Sequence, residues 1–118
     1  MSRSTLRTGI IILGLITAIV HLVILNLGFI LGGGQPQILF ALNGLGYLAL
    51  LIALFARIPF LTSMRTAVHV AFIAFTAITI LAWVFVGARS AVGYVDKIVE
   101  SLLVIALYMH MQLGPETA

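Results

Sequence analysis

The chain has 118 residues, of which 63% are hydrophobic and 8% charged, with a net charge of +3 and no cysteine. Soluble domains carry roughly a quarter charged residues, so this much apolar side chain excludes a water-exposed destination and points to lipid. The missing thiols exclude disulfides, thiolate metal sites and cysteine nucleophiles, and six scattered basic residues lack the density of a nucleic-acid patch, so no nucleic-acid partner is expected.

Charged and polar residues divide the chain into four apolar runs. Arg7 and Gln35 bracket the first, Gln37 and Arg57 the second, and Arg65 and Arg89 the third. The fourth follows Ala91 and carries Asp96, Lys97 and Glu100 in its opening turns. Each is close to the ~20 residues that a spanning helix needs at about 1.5 Å per residue. Helices are therefore expected over about 8–31, 37–56, 64–86 and 92–112, within one transmembrane domain covering 1–118 and no soluble domain. The first run exceeds the ~7–15-residue core of a cleavable signal and no A-x-A-like site follows it, so it is expected to remain in the protein.

The connectors carry breakers. Gly32-Gly33-Gly34-Gln35-Pro36 separates the first two helices, and Arg57-Ile58-Pro59 ends the second. Ser63 is a candidate cap for the third. Gly87 to Gly93 forms the last turn, and Gly114-Pro115 stops the fourth helix. Short connections force neighbours to run antiparallel, so the expected fold class is all-α, an integral membrane four-helix up-down-up-down bundle. Arg3, Arg7, Arg57 and Arg65 fall on one side and Arg89 and Lys97 on the other. That bias predicts a multi-pass protein with both termini cytoplasmic.

Ionisable groups inside a membrane helix are expensive and usually face a partner or water. Asp96 and Glu100 share one face of the fourth helix, which Leu103, Leu107 and His110 continue. Asp96 and Lys97 lie within two turns of the loop, where headgroup-level charge is cheap. Glu100 lies deeper and is the candidate titrating group of a proton or cation site. His21, near the middle of the first helix, is its candidate partner, because the antiparallel fourth helix brings Glu100 to a similar depth. The alternative is a neutral histidine bonded to Thr17 or to a backbone carbonyl. Asn43 and Tyr47 share a face of the second helix and complete a candidate polar pocket, although an intramembrane Asn also serves as interhelical glue. Gly14, Gly28 and Gly32 on the first helix, and Ala67, Ala71 and Ala74 on the third, are small-residue stripes suited to helix packing.

His69 and His110 belong to the same half of the chain's helices, which admits them as axial ligands of a b-type haem, against the commoner headgroup-facing histidine. No other cofactor or metal is expected. No G-x-S-x-G, P-loop or H-E-x-x-H is present, so no enzyme activity is expected. In length and helix count the chain resembles the small multidrug-resistance transporters. Their signature glutamate in the first helix is missing, since that helix holds His21 and no acid, so the assignment is rejected.

The leading expectation is a non-enzymatic membrane protein acting through helix–helix association, as an accessory subunit of a larger membrane complex or as a homo-oligomer. Its partners are then the lipid bilayer and other membrane subunits, or itself. A small proton or cation transporter or channel using Glu100 and His21 is the alternative, and a haem-binding redox protein the third.

Overall fold

The computed structural model describes residues 1–34, 37–87 and 89–115, with Phe29 described in its backbone alone. Among these residues the chain is all-helical, with no strand. Helix α1 (Arg3–Ile19) passes through a π-helical turn (Val20–Ile24) directly into α2 (Leu25–Leu31). There follow α3 (Ile38–Phe55), a single turn α4 (Pro59–Thr62), α5 (Arg65–Val86) and α6 (Ala91–Gln112). Three segments, Arg3–Gly28, Ile38–Phe55 and Arg65–Val86, are long and apolar enough to cross a membrane. α6 matches α5 in length at 22 residues but carries Asp96, Lys97 and Glu100.

Local chemistry explains the ends. α1 starts at Arg3, ahead of the predicted boundary, because the Ser2 hydroxyl accepts the Thr5 amide at 3.2 Å and caps the first turn. Ser90 does the same for α6, accepting from Gly93 at 3.1 Å. Ser63, the expected cap of the third long helix, instead donates to the Phe60 carbonyl at 2.7 Å. The connection before it folds as α4, with Pro59 at its first position, where the missing N–H costs nothing. Gln35 and Pro36 in the first predicted breaker, and Ala88 in the last predicted turn, lie outside the described residues.

At the π turn the Leu25 amide bonds the Val20 carbonyl, five residues back. This geometry loosens neighbouring carbonyls, and Asn26 compensates: its amide reaches the carbonyls of Leu22 at 3.3 Å and His21 at 3.5 Å. The Asn26 side-chain oxygen accepts from the Gln37 amide at 2.6 Å, tying the start of α3 back to α2.

α6 packs against both α1 and α5, and α3 against both as well. Residue pairs across the contacts run in opposite order: Gly14 meets Leu51 while Gly44 meets Leu22. Likewise Arg3 reaches Leu113 and Gly114, and Arg65 reaches His110 and Met111. The assembly measures 52 × 25 × 22 Å. Its core is Ile10, Ala18, Tyr47, Leu51, Phe72, Leu103 and Leu107. Outward faces stay apolar, with Leu39, Phe60, Ile78, Phe85 and Ile98 among the exposed side chains.

α1 and α3 approach each other closely at Gly44. A Cβ there would lie 2.8 Å from the Ala18 carbonyl oxygen, a backbone atom that cannot swing aside. Gly14 is packed against the Leu51 methyls, whereas a Cβ on Gly28 would meet nothing within 4 Å. Gly32, Ala67, Ala71 and Ala74 lie on the outside of the single chain. Gly44→Ala is expected to destabilise the folded protein by about 1–3 kcal/mol in detergent unfolding followed by circular dichroism. Gly28→Ala serves as the control, and equal stability in the two variants would remove the α1–α3 crossing from this account.

Candidate functional site

The buried face of α6 is Gly93, Asp96, Glu100, Leu103, Leu107 and His110, the spacing of one helical stripe. Its charged members are carried into the interior: Glu100 is 0% exposed and Asp96 2%. By helical rise, Glu100 lies about 14 Å along α6 from its first residue. α3 and α1 each supply it with a polar group. Tyr47 of α3 donates its hydroxyl to Glu100 Oε2 at 2.5 Å, and Thr17 of α1 donates to the same oxygen at 3.2 Å. The other carboxylate oxygen takes the ammonium of Lys97, one turn back on α6.

Lys97 also reaches Asp96 Oδ2 at 3.3 Å. The same Asp96 oxygen lies 3.7 Å from His21 Nδ1. His21 Nδ1 bonds the Thr17 carbonyl at 2.8 Å. A carbonyl only accepts, so this bond assigns a proton to Nδ1. His21 belongs to the π turn, which turns its ring inward to 4% exposure beside Tyr47, with ring centroids 6.0 Å apart. Asp96 Oδ1 is fully buried and has no hydrogen-bond partner among the described residues.

The structure thus brings together Glu100, Asp96, His21 and Tyr47. Two further members, Thr17 and Lys97, were not read as part of this site from the sequence. The signal for both was helical spacing: Thr17 is one turn from His21, and Lys97 is three residues from Glu100. Asn43 stands apart, donating to Thr79 Oγ1 at 2.8 Å across the α3–α5 contact.

In charge terms the cluster holds two carboxylates, one ammonium and one imidazole. It reaches neutrality when it carries one proton beyond the lysine's own, on a carboxyl or on His21, and burial away from water favours a balanced set. His21, Asp96 and Glu100 present donor atoms within 4.8 Å of one another, a spacing compatible with metal ligation. The Lys97 ammonium already lies against both carboxylates, so a metal ion would have to displace it, whereas a proton would not.

Toward the other end of α6, His69 Nε2 and His110 Nδ1 are 2.8 Å apart, with rings stacked at 5.0 Å and 22°. His69 Nδ1 bonds the Arg65 carbonyl at 2.8 Å. Axial ligation requires two imidazoles on opposite faces of one porphyrin. Here the rings lie directly against each other, and the arrangement does not fit a haem. Ile10, Phe72, Leu103 and Leu107, all 0% exposed, lie between this pair and the Glu100 cluster.

Comparison with protein-family models, with curated proteins and with solved structures finds no match. The reading of the site rests on its own chemistry.

Lys97→Met is expected to leave two buried carboxylates without their cation and to cost about 3 kcal/mol or more of stability. Adding Asp96→Asn should recover part of that loss. Additive losses in thermal unfolding would instead mean that Lys97 and Asp96 act independently.

Proposed function

We propose that the protein is a small, non-enzymatic, multi-pass membrane protein that transports protons through the buried Glu100 cluster. The observation that carries the reading is Glu100 itself: a fully buried carboxylate held from three directions by Tyr47, Thr17 and Lys97, in ionic company with Asp96 and His21. Maintaining several ionisable groups inside an otherwise greasy assembly is costly, and their usual employment is a proton or ion path. The lysine in the cation position favours protons over metal ions.

In this reading the long helical segments form an up-down-up-down four-helix bundle across the bilayer. The support is threefold: three apolar helices of spanning length, opposed contacts between neighbours, and a 52 Å long axis against about 40–45 Å for a bilayer with its headgroups. Arg3, Arg7, Arg57 and Arg65 gather at one end, and by the positive-inside bias this supports reading that end, with both termini, as cytoplasmic. Asp96 then faces the outer side. The apolar layer of Ile10, Phe72, Leu103 and Leu107 closes the path toward His69 and His110, so transport requires that layer to open.

The test is proton uptake into liposomes driven by a potassium diffusion potential, read with an internal pH dye. Wild type is expected to acidify the vesicles, and Glu100→Gln to lose at least about tenfold of that rate while keeping its helical spectrum. Wild-type vesicles no leakier than empty ones would sink the proposal.

The second reading is the accessory subunit or homo-oligomer. It draws on the small residues that remain outside in the single chain: Gly28, Gly32, Ala67, Ala71 and Ala74. Under it, the protein in mild detergent runs at a mass above one copy, and bulky substitution at Ala71 returns it to a monomer. A monomeric wild type would remove that reading and leave the transport proposal standing.

A further inference from the structure

Of the four carboxylate oxygens in the buried cluster, three are taken. Glu100 Oε2 accepts from Tyr47 at 2.5 Å and from Thr17 at 3.2 Å. Glu100 Oε1 meets the Lys97 ammonium, and Asp96 Oδ2 meets the same ammonium at 3.3 Å. Asp96 Oδ1 is the fourth. It belongs to a residue only 2% exposed and has no hydrogen-bond partner among the described residues. A buried polar atom in that state calls for a reason, and a ligand or a chemical role is the usual one.

The cluster has the composition of a cation site. Donor atoms of His21, Asp96 and Glu100 lie within 4.8 Å of one another. His21 holds its Nδ1 proton on the Thr17 carbonyl, so the ligands on offer are the two carboxylates, with the imidazole at their edge. Carboxylate oxygens suit a hard divalent ion. What lies against them instead is a cation of the protein's own. The lysine supplies one positive charge against two negative ones, so a single further charge completes the balance, and a proton is enough. Without the lysine two charges are needed, and a divalent ion brings both at once. Coordination points the same way. A proton needs one oxygen, and one is open. A divalent ion takes about four to eight ligands, and Lys97, Tyr47 and Thr17 leave it a single carboxylate oxygen.

We propose that Lys97 is the selectivity determinant of this cluster: its ammonium fills the place of a divalent cation, and its removal turns Asp96 and Glu100 into a divalent-metal site. The tether makes the exclusion effective. An ammonium on the same helix as both carboxylates competes as an intramolecular group, at an effective concentration of about millimolar or more, against ions that must arrive from solution. The inference rests on the transport reading for its use to the protein, but its test reads metal binding and needs no flux.

Purified full-length protein in neutral detergent is titrated with Mn2+, a hard ion suited to carboxylates, and the free ion is followed by its electron paramagnetic resonance signal. Wild type is expected to leave that signal at the level of a detergent blank. Lys97→Ala, which removes the charge and opens room beside the carboxylates, is expected to take up about one ion per chain, at least about tenfold more tightly than wild type. Adding Asp96→Asn to Lys97→Ala should abolish the uptake. Should Lys97→Ala not fold in sodium buffer, millimolar Mn2+ is expected to restore its helical circular dichroism where sodium at equal ionic strength does not. Wild type that binds Mn2+ as tightly as Lys97→Ala overturns the proposal. So does binding that Asp96→Asn leaves untouched, or a Lys97→Ala protein that neither binds Mn2+ nor refolds in it. Liposomes silent to protons would remove the transport reading and leave this result standing.

Discussion

Lys97 stands between Asp96 and Glu100, and the buried polar centre is arranged around that ammonium. Two carboxylates four residues apart on one helix face repel each other, and in apolar surroundings neither has water to spread its charge. The lysine comes from the same helix, so the three groups are held in register by backbone geometry before any tertiary contact forms. What the rest of the fold adds is partners from outside α6. Tyr47 and Thr17 close one side of Glu100, and His21 approaches Asp96 from the π turn that follows α1. Tyr47 comes from a helix whose only other polar side chain is Asn43, so losing the α6 triad would leave its buried hydroxyl without Glu100.

The polar groups fall into two centres with a dry layer between them. One is acidic with its own lysine. The other is basic, with four arginines and the stacked His69–His110 pair. Leu103 and Leu107 of α6 separate them, on the same helical face that carries both. The two centres also treat charge differently. The acidic centre pairs its carboxylates with a lysine of its own and buries them. The basic centre is open to the outside, and two of its arginines cap the end of α6. α6, the helix with the most charge, packs against both α1 and α5, which covers its polar face along its length.

Much of the helical layout was readable because charge-free runs of spanning length leave little choice of secondary structure. The boundaries were less so. Ser2 and Ser90 cap helices, but an isolated serine beside a charged residue carries no stronger signal than Ser63, which does something else. The close approach at Gly44 was also hidden: small-residue spacing drew attention to Gly28 and Gly32, while the tight crossing depends on which face of α3 meets Ala18. At the site, depth alone put Glu100 near His21, and helical spacing put Asp96 one turn away. Asp96 and Lys97 were assigned to the headgroup level because both lie within two turns of the loop; here Asp96 is buried and Lys97 turns in against the two carboxylates. Asn43 shares a face with Tyr47 on paper, yet Thr79 of α5 claims it. No pattern in the sequence marks the π turn at Val20–Ile24.

That turn gives the first helix one residue more than regular winding would accommodate between its two halves. The surplus cannot be shared out gradually, since a helix gains or loses whole residues and each corresponds to about 100° of rotation. His21 sits inside that surplus turn, its ring on the side that faces the acidic centre, and the Asn26 side chain spans the loosened carbonyls of His21 and Leu22. The first helix is built less like a plain rod than like one cut with a single notch, and the imidazole occupies the notch.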